Sequence, residues 1–122
     1  MSTCKHRGKH VLRSLAGGEM RENEYQMLIV QAIYEYLPGR PLADILVIIN
    51  DPNYTQGIPD LSIFYRPTGK WAMVEVKMSE KAPERPNQRW FIETWGQTIF
   101  TAFIYPENEE EVLIALQQSL SS

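Results

Sequence analysis

The residues best equipped for chemistry lie in the middle of the chain. Gly57-Ile58-Pro59-Asp60 opens one short apolar run, and Glu75-Val76-Lys77 closes the next. On a strand, Glu75 and Lys77 are two positions apart and project from one face, while Ala72, Val74 and Val76 take the other. Asp60 stands at the mouth of the neighbouring run, its backbone restricted by the proline before it. The short Pro67-Thr68-Gly69 connection joins the two runs as a hairpin. Two carboxylates and an ammonium then converge at one end of that hairpin. Carboxylates placed this close repel unless a cation sits between them. Oxygen ligands favour a hard divalent ion, Mg²⁺ or Mn²⁺, and the backbone carbonyl of Val76 offers a further oxygen. A lysine beside such an ion can orient an attacking water and stabilise a phosphorane-like transition state. This is the minimum equipment for metal-dependent phosphodiester hydrolysis. Taken singly, Glu-x-Lys is most often a solvated strand face and Pro-Asp a turn. Their conjunction at hairpin distance is what points to a site.

The elements that must position these residues are legible from periodicity. Residues 21–37 carry Tyr25, Leu28, Ile29, Ala32, Ile33, Tyr36 and Leu37 at helical spacing, and Pro38-Gly39 ends the stripe. Apolar runs at 45–49, 61–65 and 71–77 read as strands separated by turn residues. A mobile loop is expected over 78–86. A second helix starts at Pro86 or Asn87, places Trp90, Phe91 and Trp95 on one face, and ends at Gly96. Residues 99–105 read as a fourth strand. A third helix is capped by Asn108, carries acids in its first turn, and buries Val112, Leu113, Leu116 and Leu120. The order α-β-β-β-α-β-α is that of an α/β fold around a mixed sheet.

With 122 residues, the chain has room for one core. Hydrophobic residues at 43% and charged residues at 22% exclude disorder along its whole length. A single cysteine excludes an internal disulfide framework and fits a reducing compartment. No apolar stretch reaches membrane-spanning length, and the first 18 residues lack a signal-peptide core, so a cytoplasmic location is expected. Residues 1–20 form a basic arm with Lys5, Arg7, Lys9 and Arg13, and residues 21–122 the domain. Cys4, His6 and His10 in the arm have no matching second pair, so a solvated tail is expected there rather than zinc.

With Asp60, Glu75 and Lys77 in place, the chain resembles the PD-(D/E)xK nuclease superfamily. Within it, the chain resembles the VRR-NUC family, whose small stand-alone phage members are similar to Holliday junction resolvases. Glu22, Tyr25 and Gln26 match the family's first-helix pattern, with Glu24 the weaker candidate for the helix carboxylate. Pro86-Asn87-Gln88 matches the glutamine that starts the next helix. Gly96 and residues 99–105 match the family's glycine and apolar strand after that helix. The likeness covers residues 21–115. It implies a restriction-endonuclease-like fold. It implies that Asp60 and Glu75 hold Mg²⁺ or Mn²⁺, with Glu22 in the inner or outer shell. It implies that Lys77 positions the water, and that Gln88 orients the lysine or the scissile phosphate. It further implies a homodimer acting on branched DNA, in DNA repair or junction resolution, inside a bacterium or a phage-infected host.

Lys70, Lys81, Arg85 and Arg89 flank the expected site and suit phosphate contacts that position DNA without reading its sequence. Trp71, Trp90, Phe91 and Trp95 are expected mostly in the core. The formal net charge of −3 argues mildly against a nucleic-acid partner until the acids are sorted. Three of fifteen are assigned to the site, and Glu107, Glu109, Glu110 and Glu111 cluster late in the chain. Eight acids then remain against twelve basic residues, which suggests a basic approach to the site and an acidic far end. The alternative is a non-catalytic module on the same fold, binding nucleic acid or a protein.

Overall fold

In the computed structural model, residues 20–122 are described. Residues 1–19 of the basic arm, with the candidate zinc ligands Cys4, His6 and His10, lie outside these residues. Helix α1 (Glu22–Tyr36) leads into strands β1 (Ile45–Ile49), β2 (Leu61–Tyr65) and β3 (Lys70–Val76). Helix α2 (Gln88–Trp95), strand β4 (Phe100–Ile104) and helix α3 (Glu109–Ser121) complete the chain. The sheet runs β1-β2-β3-β4: the first three strands form an antiparallel meander, and β4 adds parallel to β3. Parallel neighbours need a crossover, here supplied by the 77–87 loop and α2. The α/β class, the mixed sheet and the element order are as expected.

Alternation along the strands builds the core. Ile45, Leu61, Ile63, Tyr65, Ala72, Val74, Val76 and Ile104 share one face and are buried. Against them pack Tyr25, Ile29, Ile33 and Tyr36 of α1 and Val112, Leu113, Leu116 and Leu120 of α3. Helix α1 opens with the Arg21 N–H donating to the Glu24 carboxylate, 2.9 Å. Asn108 stands at the N-cap of α3 but does not cap it. Its side chain turns back, accepting from the Tyr105 N–H at 2.9 Å and donating to the Phe103 carbonyl at 3.0 Å. Among the described residues, no helix is long and apolar enough to cross a membrane.

The other sheet face is covered only in part. Thr101 donates to the Ile92 carbonyl at 2.6 Å, which seats α2 over β4. A Cβ at Gly96 would meet those same two oxygens, so the end of α2 requires glycine for close approach. Beyond α2, this face shows Leu46, Ile48 and Phe64, each about 40% exposed. Phe64 stacks on Trp71 at 5.6 Å, and Trp71 meets Trp95 edge-on at 6.0 Å. The expectation that these aromatics mostly fill the core fails: Trp90 and Trp95 are 56% and 39% exposed, and Trp71 and Phe91 are only partly buried. Helix α2 spans only two turns and presses mainly on β4, so one side of it faces solvent.

Candidate active site

Register creates the site. Leu61 pairs with Val74 in the antiparallel ladder, which puts Asp60 across from Glu75. The ladder ends there, and the two side chains continue it. The Asp60 N–H donates to Glu75 Oε1 at 3.0 Å, and the Val76 N–H donates to Asp60 Oδ2 at 3.0 Å. Each carboxylate is thus held by backbone beside the other. Asn50, just after β1, fixes the turn that presents Asp60. Its N–H donates to the Asp60 carbonyl at 2.8 Å, and its side-chain amide to the Pro59 carbonyl and to Ser62, both at 2.9 Å. Gly57 completes the turn at φ +85°. A Cβ there would lie 2.5 Å from that of Asn87, itself left-handed at φ 70°. The Gly-x-Pro-Asp turn and the start of α2 therefore touch backbone to backbone.

The remaining oxygens of the pair face one guanidinium. Arg85 reaches Asp60 Oδ1 at 3.5 Å and Glu75 Oε2 at 3.3 Å. Gln88 donates its side-chain amide to Glu75 Oε2 and accepts from the Arg85 N–H at 2.7 Å. Both acids are buried, at 8% and 2% exposure. Burial raises the Asp60 pKa above its usual range, opposed by the Val76 N–H and by Arg85. Burial first, and then the charge of Asp60, push Glu75 up to about 8. A pair of acids that resists losing its second proton holds a strong demand for positive charge.

Lys77 is buried beside this pair. Its N–H bonds to the Ile104 carbonyl at 2.8 Å, which fixes its place past the end of β3. The ammonium donates to the Glu80 carbonyl at 3.0 Å and lies 3.9 Å from Glu84. It also sits over the rings of Phe103 and Tyr105, at 5.1 and 5.8 Å. Its described contacts are with this loop and these rings, not with the carboxylates that were expected to converge on it.

Asp60, Glu75, Val76, Lys77 and Gln88 are therefore gathered at one end of the sheet. Gln88 acts on Glu75 rather than on the lysine. Glu22 is exposed in the first turn of α1, and Glu24 is spent on Arg21. Among the described residues, no group of three or more acid, histidine or cysteine side chains is arranged to hold a metal. Glu22 thus does not complete a three-acid group with Asp60 and Glu75. The residues expected to contact DNA scatter. Lys70 begins β3, five residues from Glu75, or roughly 17 Å at the usual strand rise. There it donates to the Ser122 carbonyl at 2.6 Å, so it does not flank the site. Arg85, although half-exposed, turns its guanidinium onto the acids. Arg89 pairs with Glu84 and lies over Phe103 at 4.7 Å. Lys81 is exposed in the loop.

The acidic far end is also corrected. The chain enters α3 directly from β4, whose Ile104 pairs with Val76. Glu107 to Glu111 therefore start at the site's end of the sheet. Glu109 is buried there and accepts from the Tyr25 hydroxyl at 3.2 Å. Sequence reasoning passed over Asn50, Glu80 and Glu84. Asn50 carried a weak signal, as an asparagine directly after a strand. The loop residues carried none, because a loop's charges reveal their partners only once folded.

No family model matches the chain, and no curated protein or solved structure matches it.

Proposed function

We propose that this chain is a Mg²⁺- or Mn²⁺-dependent DNA endonuclease of the restriction-endonuclease-like, VRR-NUC type. The observation that carries the reading is the Asp60–Glu75 pair, two buried carboxylates locked side by side by each other's backbone. Natural cores do not keep two such acids together for stability, since each burial costs free energy and their repulsion adds to it. A hard divalent cation offsets both costs, and the donor set of carboxylate oxygens suits Mg²⁺ or Mn²⁺. Asp60, Glu75 and the carbonyl of Val76 would hold the ion. When bound, it supplies Lewis-acid polarisation of a phosphoryl oxygen and eases deprotonation of water.

The chain's own residues supply the rest. Lys77, buried against Phe103 and Tyr105, presents a positive charge at the end of β3 where a phosphate can approach. Gln88 holds Glu75 in one orientation. The family resemblance adds Glu22, at the first turn of α1, as an outer carboxylate. Lys81 and Arg89, on the loop and α2, are the phosphate contacts closest in sequence to the site, and Arg85 joins them when it leaves the acids. Branched DNA such as a Holliday junction is the substrate class the resemblance favours, with DNA repair as its setting and the cytoplasm of a bacterium or infected host as its place. A homodimer would set two sites at fixed separation for paired cuts. Its interface is the half-covered sheet face of Leu46, Ile48, Phe64 and Trp71, with a depression of about 370 Å³ beside Leu42 and Phe64.

One observation favours a second reading, a non-catalytic nucleic-acid-binding module. The Lys77 ammonium is engaged by the loop rather than by the carboxylates. End-labelled four-way junction, flap, bulge, duplex and single-stranded DNA, incubated with Mg²⁺ or Mn²⁺, separate the two. Metal-dependent products that vanish in Asp60→Ala and Lys77→Ala support the nuclease. Tight binding with no cleavage of any substrate supports the module.

A further inference from the structure

The loop at 77–87 does more than connect β3 to α2. Two adjacent residues on it satisfy the two halves of the site at once. Arg85 puts its guanidinium against Asp60 and Glu75, while Glu84 brings its carboxylate to 3.9 Å from Lys77. The loop is fastened around that arrangement: the Glu80 carbonyl takes Lys77, and Gln88 ties the Arg85 backbone to Glu75. A divalent cation would need the carboxylates that Arg85 occupies. A phosphate would need the lysine that Glu84 faces. We propose that Glu84-Arg85 is a built-in latch, a cation–anion pair standing where metal and backbone phosphate bind, so that the site loads only by displacing it. This rests on the metal-site reading above.

Exposure supports a displaceable latch. The acids are buried, but the Arg85 side chain is 52% and that of Glu84 26% exposed, so each can swing to water without unfolding. The Arg85 backbone bond to Gln88 survives such a swing. Thermodynamic linkage fixes the direction of the effect. Anything that stabilises the empty site weakens apparent ligand affinity by the same factor, so removing the latch must tighten metal binding. A half-exposed contact of one guanidinium nitrogen with two carboxylates corresponds to roughly a three- to tenfold change.

Calorimetric titration of the full chain with MnCl₂ near pH 8 tests the cation half. The proteins compared are wild type, Arg85→Met, Arg85→Lys and Glu75→Gln. The expected result is one site in wild type, lost in Glu75→Gln and about three- to tenfold tighter in Arg85→Met. Arg85→Lys should fall between, because it keeps the charge on a shorter side chain that reaches the acids less well. It also carries the test alone if the methionine variant does not fold. Wild-type affinity equal to or tighter than both Arg85 variants overturns the latch while leaving the metal site standing. If no protein binds Mn²⁺, the metal site itself fails and the latch with it. For the anion half, fluorescence anisotropy of a labelled duplex in Ca²⁺ compares Glu84→Gln with Glu80→Gln, which makes the same change of charge. Both are made in an Arg89→Gln background, because Arg89 is the other cation Glu84 holds. Tighter binding in Glu84→Gln alone is expected, and equal changes in both remove Glu84 from the latch.

Discussion

Two residues concentrate the energetic tension of this molecule. Glu75 binds its proton more tightly in the folded chain than unfolded, because burial and Asp60 disfavour its charge. A raised carboxylate pKa means the folded state holds more protons between the usual value near 4.5 and about 8. The metal-free protein should therefore lose stability as pH rises through that window. Glu75→Gln should flatten the slope and be more stable than wild type above it, by on the order of 2–4 kcal/mol. Thermal melts from pH 4 to pH 9 check this, and a slope unchanged by Glu75→Gln would remove the charge argument. Gly57 is the second residue under constraint. Its positive φ and the 2.5 Å approach to Asn87 leave no place for a methyl group. Gly57→Ala should cost about 2–4 kcal/mol and shift the turn that presents Asp60. Denaturant unfolding measures the cost directly.

At the scale of elements, the core was readable because its signals are local and periodic. The stripe on α1 and the Leu113–Leu116–Leu120 spacing on α3 each name their buried face without knowledge of a partner, whereas the run of β1, apolar at every position, names a strand but not its face. Leu113→Ala should accordingly cost about 2–5 kcal/mol with the fold retained, seen as a lowered midpoint in the same denaturant experiment. The Asp60–Glu75 convergence was readable for a related reason, since a hairpin fixes which residues face each other. What a strand cannot announce is where a long side chain goes. Lys77 shares the sheet face of Glu75, yet its ammonium reaches loop carbonyl and aromatic rings. Arg85 looked like a surface cation and is the counter-charge of the pair. Lys70 looked adjacent because it begins the same strand, and strand length carries it to the far end. Trp90 and Trp95 looked like core because aromatic residues usually are, but a two-turn helix on one strand cannot bury both of its sides.

The whole molecule has two unequal layers. Helices α1 and α3 close one face of the sheet, and the short α2 leaves much of the other open. An apolar face with Leu46, Ile48 and Phe64 near 40% exposure invites a second copy. Sedimentation equilibrium should give a dimer for the full chain and a monomer for Phe64→Glu with Ile48→Glu. A wild-type monomer at tens of micromolar would rule out pairing through this face. The net charge of −3 acquires a location as well. The acids of α3 begin at the end of the sheet where Glu75 and Lys77 lie, so on the proposed reading DNA would approach from the side of the loop and α2, where Lys81 and Arg89 stand.

The central claim is that the Asp60–Glu75 pair with Lys77 hydrolyses phosphodiester bonds with a divalent ion. Single-turnover cleavage of a labelled four-way junction in Mn²⁺, wild type against Lys77→Ala, meets it most directly. Wild type should give discrete products, and none in EDTA. Lys77→Ala should be slower by at least about a hundredfold with DNA saturating in both proteins. Equal rates in the two proteins would contradict the claim.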